Sequence, residues 1–278
     1  AAGLLSGEKF IHKVPASDSE ALKSPLMGMM EKNRCKNFFV WAQSFDANNQ
    51  NTWGGLDPRQ HSMAQVYEKF GLQTGTIDFL GHAVALHTSD NYLNLPYGQT
   101  IDKVQLYMRS MGRYGNSPFL YPVYGLGGIP EGFARLCAIH GGTFMLDQAI
   151  DEFVYDGNGR VCGVRSGEQV AHAPIVICDP SYAALAKDAA GQPKTKIQST
   201  GRVIRAICIL NQPIPNVVNS NGAPAESCQI IIPQRELKRN CDVYITMLSN
   251  SNGVTPQGKY LAIVSTEIPP GCQNPGGE

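Results

Sequence analysis

No apolar run in the 278 residues approaches the roughly 20 needed to cross a bilayer as a helix. Neither sign of charge is in excess: 23 Lys and Arg face 23 Asp and Glu, for a formal net charge of zero. That balance argues against a nucleic-acid partner held by bulk electrostatics, which normally leaves a basic surplus. The eight cysteines include no C-x-x-C pair, and no Cys or His pair has close ligand spacing, so no metal site is expected. His82 and His87, with no H-E-x-x-H around them, read as ordinary core or surface histidines. Dispersed thiols in a chain of this length point to a reduced, cytosolic setting. There is no G-x-S-x-G, no G-x-x-x-x-G-K-[ST] and no paired-carboxylate signature, so nothing proposes a nucleophile with its base. The opening residues lack a basic region and are too short in apolar character for a signal peptide. They also lack Met, so a fragment is expected. What is present is 42% apolar residues and 29 glycines, the make-up of a folded, loop-rich globular chain.

Periodicity changes near residue 115. Before it, helical patterns dominate. Ser17-Asp18-Ser19-Glu20 has capping-box form, and Ser24-Pro25 offers an N-cap followed by Pro in the first turn. Leu26, Met29, Met30, Phe38, Trp41, Ala42 and Phe45 then form an apolar stripe at spacings of three and four. A second capping box, Ser62 to Gln65, precedes Val66, Tyr67 and Phe70, with Gly71 as the stop. Thr76 to Leu86 and Thr100 to Met111 are further helical candidates, the latter ended by Gly112. Residues 1–115 therefore read as a small helical domain.

Beyond 115, Pro130 is positioned to start a helix that Gly141-Gly142 ends. A strand is predicted over Thr143 to Leu146. A hairpin follows, with its turn at Asp156-Gly157-Asn158-Gly159 and arms Glu152 to Tyr155 and Val161 to Arg165. Ala173 to Cys178 reads as a buried strand closed by Asp179-Pro180. Four more β-like runs follow, at Val203 to Leu210, Gln229 to Pro233, Asp242 to Leu248 and Tyr260 to Thr266. Polar loops fill 186–201 and 215–226, and 269–278 reads as a disordered tail. The fold class expected is α+β: a mixed-sheet domain over 116–278 and a smaller helical domain over 1–115.

The methionines of the first part (Met27, Met29, Met30, Met108, Met111), beside Phe38, Phe39 and Trp41, allow two readings. They are either gap-fillers of a bundle core or the lining of an apolar cleft that admits a flexible lipid chain. The order of elements from Gly125 to Asp179 resembles that of flavoproteins such as amine oxidases and carotenoid desaturases. The nucleotide loop does not follow: Gly125-Leu126-Gly127-Gly128-Ile129-Pro130 has Pro where a third Gly would let a helix N-terminus meet a pyrophosphate. No flavin or other cofactor is expected.

A denser resemblance runs from about Lys9 to Thr266. It is carried by Lys13-Val14-Pro15, Leu26-Met27-Gly28-Met29, Asp78-Phe79-Leu80-Gly81-His82-Ala83 and Arg113-Tyr114-Gly115-Asn116-Ser117-Pro118. Further on it is carried by Tyr124-Gly125-Leu126-Gly127, Gly132-Phe133-Ala134-Arg135-Leu136, Ile177-Cys178-Asp179-Pro180-Ser181-Tyr182 and Ser227-Cys228-Gln229-Ile230-Ile231-Ile232-Pro233. These segments resemble the Rab GDP dissociation inhibitors (GDIs), whose relationship to flavoproteins accounts for the weaker echo. Rab escort proteins share parts of the pattern and are one alternative. An FAD-dependent oxidoreductase of the amine-oxidase type is the other.

The resemblance implies a non-enzymatic chaperone of the cytoplasm, transiently at membranes, that holds prenylated, GDP-bound Rab GTPases, slows GDP release and recycles them in vesicle transport. It implies Rab contacts at Arg135, Thr143 and Met145, and a membrane-recognition loop opening at Arg113 and Tyr114. The family has Glu where this chain has Gly128, and Glu131 is expected to replace that contact. A geranylgeranyl group left in water costs about 0.8 kcal/mol per CH₂. The helical stripes suggest Leu26, Met29, Met30, Phe38, Ile77, Leu80, Val84, Val104 and Met108 as its lining. The family also has an N-terminal glycine-rich βαβ unit and a C-terminal segment that this sequence does not contain.

Overall fold

The computed structural model describes residues 2–6, 10–14, 27–111, 113, 119–188, 191–192, 197–219 and 221–268. Ser17 to Glu20, Ser24 to Leu26, Gly112, Tyr114 and the tail 269–278 lie outside the described residues.

Two short strands, β1 (Ala2–Ser6) and β2 (Phe10–Lys13), precede helix α1 (Met29–Ser44). Its buried positions are Glu31, Cys35, Phe38 and Ala42, an i, i+4, i+7, i+11 stripe. This stripe is rotated from the one read in the sequence, because Met29 and Met30 are 76% and 77% exposed. Glu31 takes the inward position instead. Its carboxylate accepts a 2.7 Å bond from the Gln73 N–H and lies 3.4 Å from the Arg34 guanidinium. A buried acid is tolerated there because it is both bonded and charge-paired.

Helix α2 (Met63–Lys69) starts at the expected capping box, with the Ser62 hydroxyl accepting from Gln65 N–H and the Gln65 side chain from Ser62 N–H. Gly71, at φ +64°, closes it in a left-handed conformation that a side chain disfavours. Helix α3 (Thr74–Asp78) runs into a π-helical turn over Phe79–Val84, where Ala85 N–H bonds the Leu80 carbonyl five residues back. Such turns are rare and are frequent at functional sites. Helix α4 (Gly98–Ser110) buries Thr100, Ile101 and Val104. These helices enclose a cluster containing Phe38, Met63, Val66, Tyr67, Leu80, Val84, Tyr97, Ile101 and Val104. Aromatic rings pack edge-on within it, Phe38 against Phe70 at 5.6 Å and 89°.

A six-stranded sheet has the order β2-β1-β7-β8-β9-β6, with β6 (Arg202–Leu210), β7 (Cys228–Ile232), β8 (Val243–Ser249) and β9 (Tyr260–Ile268). Pairing is antiparallel except between β1 and β7. Side chains alternate across β7: Ile231 joins the helical cluster, while Ile230 packs with Met247, Val217 and Ala225 on the other face.

Helix α5 (Gly128–Ile139) holds Pro130 in its first turn, where the missing N–H would in any case have no helical partner. A second sheet has the order β3-β4-β5: β3 (Glu152–Tyr155), β4 (Val161–Ser166) and β5 (Gln169–His172). Its first turn forms as read, with Asp156 Oδ1 accepting from the N–H of Asn158 and of Arg160. Two strand expectations fail. Thr143 to Leu146 forms no strand and joins no ladder, and Ala173 to Cys178 is neither a strand nor buried, with Ile177 94% exposed. Apolar β-branched residues favour extended backbone, but a strand also needs a neighbour to take its N–H and C=O groups, and none pairs with these runs among the described residues.

Contacts group the chain into two units, Ala1–Ile129 with Gly201–Glu278, and Pro130–Thr200. Helices α1 to α4 and the six-stranded sheet thus share one unit, whereas the sequence divides by periodicity near residue 115. Ile231 of β7 and Tyr244 of β8 pack with the helical cluster and account for that grouping. Among the described residues, no helix is long and apolar enough to cross a membrane.

Candidate functional site

Within Pro130–Thr200, the Rab-facing candidates lie on α5 and the segment after it. Glu131 and Arg135 are one helical turn apart and exposed. They occupy one side of α5, while Ile129, Phe133 and Leu136 form an exposed apolar stripe on the other. Gly141, at φ +85°, turns the chain out of the helix, and Gly142 lies against Cys137, where an added Cβ would collide with Sγ. That turn leads into an irregular segment with exposed Thr143 and Met145. An exposed Arg, an adjacent acid and flanking apolar side chains suit a surface that pairs a carboxylate and packs an apolar patch. Arg113 is exposed, in a turn.

The candidate lipid-lining residues separate into two groups. Met29 and Met30 are exposed, and Ile77 and Met108 are half-buried at the edge of the helical cluster. Phe38, Leu80, Val84 and Val104 are fully packed inside it. The described helices are closed around these four, so a lipid reaching them has to displace side chains already packed there.

A polar cluster missed by the sequence reading lies where the helices meet the sheet. The buried His82 places Nδ1 2.6 Å from Asp242 Oδ2 and 3.0 Å from the His87 carbonyl, and Nε2 3.1 Å from Asp90 Oδ1. Burial alone pulls its pKa down, but the bond to Asp242 and that residue's charge outweigh it, so the net shift is upward. His87 moves the other way, down to about 4, through burial, Lys103 and His82. Its ring stacks on Tyr92 at 4.2 Å. Asp78, His82 and Asp90 bring ligand atoms within 4.8 Å of one another. The arrangement is not an open cation site, because the Arg235 guanidinium already lies 2.8 Å from Asp90 and 3.5 Å from Asp78. The D-x-x-x-H spacing of Asp78 and His82 was visible in sequence. Asp242, 160 positions after His82, carried no local signal.

A helical cluster packed on a mixed sheet, with a second small sheet and an exposed helix in a separate unit, defines a mixed α+β fold. The chain matches the model of the GDP dissociation inhibitor (GDI) family over residues 3–276. It is 47% identical over 256 residues to Rab GDP dissociation inhibitor beta of Canis lupus familiaris, covering 92% of this chain and 54% of that protein. It is 48% identical over 258 residues to the probable secretory pathway GDP dissociation inhibitor 1 of Schizosaccharomyces pombe, covering 93% and 55%. The solved Rab GDI of Plasmodium falciparum superposes with a TM-score of 0.79 at 48% identity, covering 98% of this chain and 60% of that one. The chain therefore belongs to the GDI family. It spans about half the length of the curated relatives it matches.

Proposed function

We propose that this chain takes part in the activity for which its relatives are named: it binds GDP-bound, prenylated Rab GTPases, slows GDP release and shuttles them between membrane and cytosol in vesicle transport. The single observation that carries this reading is the family match across residues 3–276. The protein acts by binding rather than by catalysis, in the cytoplasm and transiently at membranes.

In this reading residues 116–278 present the Rab platform and residues 1–115 receive the geranylgeranyl lipid. Arg135 pairs an acidic group on the GTPase through its planar guanidinium, Met145 packs an apolar patch and Thr143 supplies a hydroxyl between them. Glu131, in the first turn of α5, stands in for the acid the family has at the place of Gly128. Arg113 and Tyr114 open the membrane-recognition loop. Met29, Met30, Ile77 and Met108 meet the lipid first. Phe38, Leu80, Val84 and Val104 line a deeper cleft that opens as the lipid enters, and Leu26, outside the described residues, is a further contact. Burying each CH₂ returns about 0.8 kcal/mol, which offsets the disrupted packing of the core.

The test is release of a fluorescent GDP analogue from prenylated Rab with and without this chain, repeated with Arg135→Ala and Glu131→Ala. Slower release with the parent chain, restored by Arg135→Ala, is the expected result. Release unaffected by the parent chain would exclude the activity for this half of the family's length. Glu131→Ala behaving as the parent would exclude Glu131 as the replacement acid.

A further inference from the structure

The polar cluster around His82 has no part in the proposed Rab or lipid contacts, and it joins two stretches about 150 residues apart. On one side is the segment 74–94, made of α3, its π-helical turn and the residues up to Asn94. On the other is the connection from β7 to β8. We propose that the His82 imidazolium is a latch: while it carries its proton it bonds Asp90 and Asp242 together and holds the segment 74–94 on the sheet, and loss of that proton frees the segment to open.

The geometry is that of a group made to carry charge. Nε2 faces the Asp90 carboxylate at 3.1 Å, and Nδ1 faces two acceptors, the Asp242 carboxylate at 2.6 Å and the His87 carbonyl at 3.0 Å, whereas a neutral imidazole has only one N–H to donate. Asp242 is itself buried and anchored. Its Oδ1 accepts from Gln234 N–H at 2.9 Å, its own N–H donates to the Thr88 carbonyl, and its carbonyl accepts from Thr266 Oγ1. Deprotonation therefore faces the Asp242 carboxylate with a ring nitrogen that either lacks a proton or has withdrawn it from Asp90.

The groups facing this centre come from every element around it. The segment itself supplies Asp78, His87, Asp90 and Tyr92, the β7–β8 connection supplies Arg235 and Asp242, β8 supplies Tyr244, and Lys103 of α4 lies 3.5 Å from His87. The Tyr92 and Tyr244 phenols are pushed further up by burial, the Arg235 guanidinium rises beside Asp90 and Asp78, and His87 is already neutral above about pH 4. The His82 contribution has the sign of a raised pKa. It is fully present below the ordinary value of 6.5 and is lost as pH rises through the folded value.

Hydrogen exchange of the amides from Gly81 to Asp90 tests the latch in the chain alone, so the result does not depend on Rab binding. Each rate is divided by the intrinsic rate at its pH, from pH 6 to pH 9. The corrected rates are expected to rise several-fold in the parent chain as the imidazolium loses its proton, the direction that its raised pKa sets. In His82→Gln they are high at pH 6 and flat. Equal pH slopes in the two proteins overturn the proposal. Should His82→Gln not fold, Asp90→Asn removes the more accessible carboxylate and is expected to move the rise to lower pH; an unmoved midpoint also overturns it.

Discussion

The two compact units put their apolar side chains to opposite uses. In Ala1–Ile129 with Gly201–Glu278, Phe38, Tyr67, Tyr97, Leu80 and Ile101 are fully enclosed. Among the described residues of Pro130–Thr200, only Gly163 is buried, while Phe133, Leu136, Phe144 and Met145 face outward. The first unit is held by side-chain packing. The second is held by ladder hydrogen bonds and turns, and Gly163 is buried because β5 passes so close that an added Cβ would meet the Ala171 carbonyl at 2.5 Å. Large outward apolar surface of this kind marks contact with another body. The buried residues of the first unit carry its stability, and the exposed ones of the second are those that the proposed Rab contact would use.

Two substitutions break or sharpen that contrast. Phe38→Ala has the larger effect: it removes a buried ring that packs against Phe39, Trp41, Tyr67 and Phe70. It is expected to lower stability by about 3–5 kcal/mol, read from urea unfolding followed by tryptophan fluorescence. Phe133→Ala removes a ring of the same size that is 67% exposed and is expected to change stability by less than about 0.5 kcal/mol. Comparable losses for the two would show that the second unit has a packed core of its own.

Local chemistry was legible in the sequence and distant pairing was not. The Ser62 and Gln65 capping box, the Asp156 turn and the runs that became β6 to β9 each depend on a few neighbouring residues, and each formed within a residue or two of expectation. The parallel pairing of β1 with β7 joins residues more than 200 positions apart and left no periodic trace. Glu31 was passed over as a core residue because its acceptability depends on the Gln73 amide. The same limit hid His82 with Asp242. Ala173 to Cys178 had strand composition but found no partner to pair with. For the site, Arg135, Thr143 and Met145 came from the resemblance, and their exposure is what the structure adds. The helical stripes named lipid-lining residues by apolar spacing, which does not distinguish a closed core from a cleft, and Phe38, Leu80, Val84 and Val104 lie in the core.

The central claim is that this chain receives a lipid carried by a small GTPase, and a fluorescence titration with a geranylgeranylated Rab C-terminal peptide tests it most directly, with the unprenylated peptide as control. Trp41 and Trp53 both pack with the helical cluster and report its opening. Saturable binding that requires the lipid and changes this emission is the predicted result. Identical responses to the two peptides, in a chain shown by circular dichroism to be folded, would contradict it.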